Sequence, residues 1–413
     1  MIPKANSLWS LVLPWCMGAL AAVLALRNLL DTSGDLGIYL RAARELIEGG
    51  YDLYRDRPDH GLVVGYPPVA LLPFVALETW LDEPAIRWIW CLSLGVATAI
   101  ILRLITVALH PFGGLSLWRW VVFGVLFQRC IAQNLTHGQM SLWVAALMIY
   151  GAVLLQLRRD WSAGALLGAA AALKLTPLLF VPVLLLAARP RAALAGALTF
   201  GLLVYVVPVP FLGLEEHLRV LQDFHRTTFA PLLAGEPAAV VFTAPSHSIQ
   251  GTIPYLLQPL PLDENGYTAN LLTLSDQAVR TAKLSWSAFL ALVLGAWILA
   301  SWRLPSPLRI VHIAAATMMA IAFFSPLTRV YHLAGALLPF ALFCRGPRGV
   351  RDVLWWGIAL GALASLSLRQ RKLLGEDLWR AIEAHGVLHF TMAAMCVWLW
   401  QLARHDAAAH RAA

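Results

Sequence analysis

Apolar residues in this chain come in long unbroken runs, and that pattern leaves few folds open. The runs fall at roughly 11–30, 66–81, 84–109, 118–132, 139–157, 161–188, 192–212, 284–302, 308–324, 330–344, 350–368 and 386–403. Only 13% of the 413 residues are charged and 59% are hydrophobic, whereas a soluble domain carries about 25% charged residues. In a bilayer every backbone N–H and C=O must find its partner within the protein, so only helices and closed barrels span it. Barrel strands alternate every second residue, and these runs do not. The expected fold is an all-α polytopic membrane protein with about 11–13 transmembrane helices, since a perpendicular span takes about 20 apolar residues.

Details of the runs refine that picture. The segment 161–188 is too long for one span and holds Lys174 and Pro177, so two short helices meeting near Lys174 are expected. Residues 1–30 read as an uncleaved first helix, because no small-residue cleavage pattern precedes Asp31. The five cysteines show no paired metal-ligand spacing and read as buried free thiols.

Charge gives orientation. The net charge of +8 resides in clusters between apolar runs: Arg158–Arg159, Arg189 with Arg191, Arg303 with Arg309, and Arg345, Arg348 and Arg351. None is interleaved with exposed aromatics, so a nucleic-acid partner is not expected. Basic loops mark the cytoplasmic side, which puts 31–65, 213–283, 325–332 and 369–385 on the external face. Counting crossings from the N-terminus nevertheless leaves Arg158–Arg159 outside. A half-crossing within 118–157, near QNLTHGQ, would reconcile the two counts.

The whole chain, 1–413, reads as one membrane domain with two external insertions, an amphipathic loop at 31–65 and a cap loop at 213–283. In the first insertion Leu36, Tyr39, Leu40, Ala43, Leu46 and Ile47 share one helical face, with Arg41, Arg44, Glu45 and Glu48 opposite. Arg41 with Glu45 and Arg44 with Glu48 stand at i,i+4 spacing. Ser33 or Asp35 can cap this helix and Gly49–Gly50 can end it, giving a helix in the interface plane. Tyr66-Pro67-Pro68 then opens the next apolar segment.

Polar residues at external membrane boundaries are the candidates for chemistry: Asp31, Asp35, Asn134, His137, Gln139, Lys174, Arg329, Tyr331 and His332. Each also has a plain structural reading. Asp35 could be a solvated loop carboxylate and Asp31 a helix cap. Lys174 could snorkel to the interface. Asn134 and Gln139 could be hydrogen-bond glue between helices, and His332 a satisfied core histidine.

The order of these features resembles glycosyltransferase family 87. The segment DLGIYLRAARELIEGGYDLY is followed by GYPPVALLPF, then NLTHGQMS, GALLGAAAALKLTP and SPLTRVYHLAGALLP, which together cover most of residues 31–340. The family includes mannosyltransferases that act on phosphatidylinositol mannosides. The resemblance implies the GT-C fold, in which a sugar passes from a polyprenyl-phosphate donor to a lipid or glycan hydroxyl on the external face. The external face of a chain bacterial in style gives the expected place, a multi-pass protein of the cell inner membrane with its site facing the periplasm or outside.

By resemblance Asp35 matches the catalytic carboxylate and His332 falls where the family supplies a histidine near the acceptor. Two departures stand out: Tyr331–His332 occupies the place of a histidine pair, and SHSIQG stands where a more Asn-Gln-Ser-like motif is expected. Asp35 then becomes the general base for the acceptor hydroxyl. Lys174 and Arg329 supply positive charge for the donor phosphate, and Tyr66, Asn134, His137, Gln139 and Tyr331 are expected to line the substrate. The expected reaction is an inverting hexosyl transfer, mannose first among donors, with no cofactor and no metal. No P-loop and no GxGxxG motif is present for a sugar nucleotide. The rival class is a transporter or flippase of an envelope lipid or glycan, although no repeat relates the two halves as many transporter folds require.

Overall fold

The computed structural model describes residues 8–29, 34–49, 53–54, 66–230, 246–260, 268, 270–325, 328–347, 352–366 and 374–412. Asp31, Ser33, Gly50, most of 50–65 and the centre of the expected cap loop lie outside the described residues. The described residues are helical almost throughout. The elements are α1 (Leu8–Leu29), α2 (Gly34–Ile47), α3 (Leu72–Trp80), α4 (Glu83–Leu109), α5 (Leu117–His137), α6 (Ser141–Gln156) and α7 (Asp160–Leu173). They continue with α8 (Phe180–Leu186), α9 (Pro190–Gly201), α10 (Val209–Leu212), α11 (Leu214–Phe224), α12 (Ile249–Leu257), α13 (Asp276–Ser301) and α14 (Ser306–Phe324). The last four are α15 (Leu337–Phe343), α16 (Val353–Leu366), α17 (Glu376–Ala384) and α18 (Val387–Ala412).

Among the described residues, five segments are long and apolar enough to cross a membrane: Val12–Leu29, Glu83–Phe112, Pro190–Leu212, Asp276–Ser301 and Ser306–Phe324. A sixth forms from Glu376–Ala384 and Val387–Arg411, bent by 54°. The shorter apolar helix Ser141–Gln156 is enclosed largely by protein; most of α6 is buried, from Leu142 through Leu155. The protein is a multi-pass helical membrane protein.

The chain divides into two compact units, Ile2–Leu104 with Ala132–Val241, and Ile105–Ile131 with Phe242–Ala413. In the first unit α1 and α4 run antiparallel. The Leu29 carbonyl accepts from the Arg87 guanidinium, and a Cβ on Gly18 would lie 2.7 Å from Ala99 Cβ. The described residues between them stay at one end. The ring of Tyr39 packs on Phe74 at 5.0 Å and Phe74 on Trp90 at 4.9 Å, while Arg44 meets both Glu78 and Glu83.

That arrangement relocates the half-crossing. The segment that fails to cross is 66–80, which starts with a 3-10 turn at Pro68–Leu71 and packs along α2. The 118–157 stretch makes α5 and α6 instead. Gly138, in the turn between them, sits against Leu29 at the end of α1. From Ser141, α6 then runs about 24 Å, at 1.5 Å per residue, toward Arg158–Arg159. Arg158–Arg159 therefore share an end with the start of α1, as the charge rule demanded. Asp160 pairs with Arg189 there at 3.1 Å, which gathers Arg189 and Arg191 at the same end.

The break at Lys174 is as expected. Lys174 leaves α7 in an extended conformation (φ −153°, ψ 119°), and a 3-10 turn at Thr176–Leu179 leads into α8. Helices α7 and α9 lie backbone to backbone: a Cβ on Gly164 would sit 2.1 Å from the Ala192 carbonyl oxygen, and one on Gly168 2.3 Å from that of Gly196. Small residues at four-residue spacing permit that approach.

Three expectations need correction. Ile47 is 49% exposed, so it leaves the buried face of α2 that Leu36, Tyr39, Leu40 and Leu46 form with Ala42 and Ala43. Arg44 reaches Glu78 and Glu83 rather than Glu48, because a tertiary partner with two carboxylates outcompetes one solvated neighbour on the same helix. Cys16 is exposed, on the face of α1 that also shows Trp15, Leu20 and Val23; the other four cysteines are buried.

In the second unit α13 and α14 form a hairpin, and α18 packs along α13 and α16. Its basic end is tied by Arg345 to Asp406 at 2.6 Å, with Trp398 donating to Asp352 at 2.9 Å. Thr328, Arg329 and the 3-10 turn Val330–Ala336 follow the far end of α14.

Replacing Gly164 with Leu should lower the melting temperature of the detergent-solubilised protein, since overpacking costs about 1–3 kcal/mol and backbone cannot yield as a side chain can. Gly201→Ala, which meets nothing within 4 Å, is the control. Equal shifts in the two variants would contradict the close α7–α9 packing.

Candidate active site

Within the first unit two glycines set the geometry. Gly138 ends α5 in the left-handed region (φ +66°), and Gly34 opens α2 with φ +47°, conformations that cost little only for residues without a Cβ. A Cβ on Gly34 would fall 2.7 Å from the His137 carbonyl oxygen, and one on Gly138 would fall 3.1 Å from Leu36 Cβ. The first turn of α2, which carries Asp35, therefore rests directly on the NLTHGQ turn. Trp90 fixes that turn further by donating to the Gly138 carbonyl at 2.8 Å.

Gln139 stands at the centre of a polar knot. Its Oε1 accepts from the Tyr66 hydroxyl at 3.1 Å and from the Tyr39 hydroxyl at 3.3 Å. The two phenols lie 3.1 Å apart. Tyr54 donates to the Tyr66 backbone carbonyl at 2.7 Å, fixing the start of the Tyr66-Pro67-Pro68 segment. Burial pushes the Tyr39 phenol well above its usual range, and the neighbouring Tyr66 and Asp35 add to the shift. Tyr39 is thus a neutral hydrogen-bond donor at all working pH values.

Asp35 is half-buried one turn before Tyr39, at the i,i+4 spacing that places both on one side of α2. Its carboxylate acts electrostatically on Lys174, whose Nζ donates to Ser141 Oγ at 3.3 Å. The break after α7 makes this possible, because the extended residue at 174 turns its side chain toward the start of α6. Among the expected site residues, Asp35, Tyr66, His137, Gln139 and Lys174 are thereby gathered at one end of this unit. Asn134 is fully buried in the last turn of α5, and its carbonyl accepts from the Gln139 N–H at 3.0 Å.

The remaining three expected residues belong to the second unit. The Arg329 N–H donates to His332 Nδ1 at 3.3 Å, and the His332 N–H donates back to the Arg329 carbonyl at 2.9 Å. With Nδ1 accepting, the neutral ring carries its proton on Nε2 and is a donor there. Tyr331 is buried, its ring perpendicular to that of His332 at 4.5 Å.

Sequence reasoning passed over several residues here. Tyr39 was assigned only to the apolar face of its helix, although its spacing from Asp35 was the available signal. Ser141 carries no motif beyond its place after GQM. The buried set Arg129, His247, Glu383 and His389, together with Ser246, is spread over more than two hundred residues and has no local signature.

The comparisons agree with the sequence motifs. The family model for glycosyltransferase family 87 matches residues 65–326, and the chain belongs to that family. It is a membrane glycosyltransferase. Among solved structures, the crystal structure of ArnT from Cupriavidus metallidurans bound to undecaprenyl phosphate is similar at a TM-score of 0.43 and 16% identity, covering 98% of this chain and 79% of that one. No curated protein sequence matches the chain.

A double-mutant cycle tests the knot. Gln139→Leu strands two buried phenols and should cost about 1–3 kcal/mol of unfolding free energy, more than Tyr39→Phe. The double variant should be less destabilised than the sum, by at least about 0.5 kcal/mol. Additive losses would show that the phenols do not depend on the amide.

Proposed function

We propose that this transferase moves a hexose, mannose first among candidates, from a polyprenyl-phosphate donor to a hydroxyl of a lipid or glycan, by a mechanism of the GT-C class. The single observation that carries the reading is the seating of the first turn of α2, with its half-buried Asp35, on the NLTHGQ turn, in the unit where Lys174 meets Ser141 at the start of α6. A hydroxyl is a poor nucleophile and gains from a positioned base. A phosphate leaving group needs a cation rather than a proton. One locus offers both.

In the proposed step the acceptor oxygen attacks the anomeric carbon and its proton passes to Asp35. The bond from that carbon to the phosphate oxygen breaks on the opposite face, so the anomeric centre inverts. Polyprenyl phosphate leaves with its electron pair and full charge, which a cation stabilises; Lys174 is the candidate in the first unit and Arg329 the candidate in the second. His332, a donor at Nε2, orients an acceptor oxygen rather than removing a proton. Tyr66, His137 and Gln139 shape the sugar and acceptor pocket, with Tyr39 holding Gln139 in place. Asn134 supports the turn from beneath, and Tyr331 orients the His332 ring.

The end of the first unit that holds Asp35 lies away from Arg158, Arg159, Arg189 and Arg191. By the positive-inside rule this supports a site on the outer side of the cell inner membrane, where polyprenyl-phosphate sugars are presented to envelope acceptors.

Membranes containing the wild type, given radiolabelled polyprenyl-phosphate mannose and a lipid extract, should form labelled product. Asp35→Asn should lower turnover by at least about 10²-fold, the usual contribution of a general base, at an unchanged melting temperature. Lys174→Met should chiefly raise the donor KM. Undiminished product from Asp35→Asn would remove it as the base.

A further inference from the structure

The motif SHSIQG has no part in the chemistry proposed above, yet its first three residues are bonded on two sides. Ser246, His247 and Ser248 are all buried. The His247 N–H donates to the Thr328 carbonyl at 2.7 Å, and the Thr328 N–H donates to Ser246 Oγ at 3.0 Å. Thr328 immediately precedes Arg329, so this pair of bonds fixes where the Arg329–His332 turn begins. The other end of Thr328 is pinned by its hydroxyl, which donates to the Ala322 carbonyl at 2.7 Å.

The loop is itself held from behind by two groups, one buried and one partly buried. His389 is fully buried in α18. Its Nε2 accepts from Trp286 Nε1 at 2.7 Å, which leaves Nδ1 as the protonated nitrogen, and Nδ1 donates to the His247 carbonyl at 2.8 Å. The second group is Glu383, whose Oε1 is paired with Arg129 at 2.5 Å and whose Oε2 lies 3.7 Å from His247 Nε2. Arg129 also donates to the Ser365 carbonyl at 2.8 Å. Side chains of α17 and α18 thus meet one three-residue loop directly, and α5, α13 and α16 hold those side chains in place. An ion pair largely withdrawn from solvent is weak evidence for a role in stability alone, and this pair sits one loop away from a proposed phosphate ligand.

We infer that His389 and the Glu383–Arg129 pair are positioning residues for donor binding: through the 246–248 loop they set the place of Arg329 and His332. The inference rests on the reading of Arg329 as a ligand of the donor phosphate. The chain of bonds runs from His389 Nδ1 to the His247 carbonyl, from the His247 N–H to Thr328, and along the backbone to Arg329. None of these groups has to touch substrate.

The test measures binding of undecaprenyl phosphate to the full chain in nanodiscs, alongside donor KM and kcat with polyprenyl-phosphate mannose. Arg329→Gln should weaken phospholipid binding at least about 10-fold, the loss of one charge-assisted contact. His389→Leu should weaken it by a similar factor and raise KM more than it lowers kcat. His389→Asn, which keeps a donor near the Nδ1 position, should restore binding. The double variant His389→Leu with Arg329→Gln should bind no worse than Arg329→Gln alone, because both act through one contact. Ser246→Ala, which removes the acceptor for the Thr328 N–H, is the second route to the same effect should His389→Leu not fold.

Unchanged binding in Arg329→Gln would overturn the phosphate reading and the inference with it. Weak binding in Arg329→Gln with wild-type binding in both His389→Leu and Ser246→Ala would overturn the inference alone. Additive losses in the double variant would do the same.

Discussion

Contact of backbone with backbone at two glycines is the constraint on which the first unit's site depends. Gly34 lies on the His137 carbonyl, and Gly138 lies on Leu29 and Leu36. A side chain at either position would lift α2 off the turn between α5 and α6. Asp35 would then lose its register relative to Gln139 and Lys174. Both glycines also have positive φ, so the conformation and the approach each demand the same residue. The polar knot of Tyr39, Tyr66 and Gln139 locks what the glycines permit, since buried polar groups that satisfy one another admit few alternative arrangements.

The second unit solves its own version of this problem with hydrogen bonds in place of close contact. A three-residue loop, SHS, is bonded on one side to Thr328 and on the other to His389, with the Glu383–Arg129 pair adjoining. Its opposite end is tied by Arg345 to Asp406, with the Arg345 guanidinium also 4.6 Å over the Phe112 ring. Polar groups in this unit therefore gather at its two ends, and the helices between them are apolar. That is the distribution expected when lipid surrounds the middle and water the ends.

The helical class and the break at Lys174 were legible because they follow from local rules: continuous apolar runs, and a lysine and proline inside a run too long for one span. The candidate residues Asp35, Gln139, Lys174 and His332 were singled out for a different reason, the resemblance to a family; of these, Gln139 and Lys174 fall within residues 65–326, which its model matches. Where local rules misled, a tertiary partner had intervened. Segment 66–80 has the composition of a span, yet packs along α2, because its apolar side chains meet Tyr39 and Trp90 instead of lipid. Arg44 was assigned a partner on its own helix and found two carboxylates on neighbouring ones.

By itself the sequence determined that this chain is a bundle of helices in lipid and which motifs mark its family. These are consequences of composition and order, which act along the chain. Only the tertiary structure decided which apolar segment fails to cross, that Tyr39 and Tyr66 share Gln139, and that His389 bears on a loop 142 residues away. Hydrogen bonds and ring contacts act over a few ångströms in space regardless of separation along the chain, so no pattern within a short window of sequence can contain them.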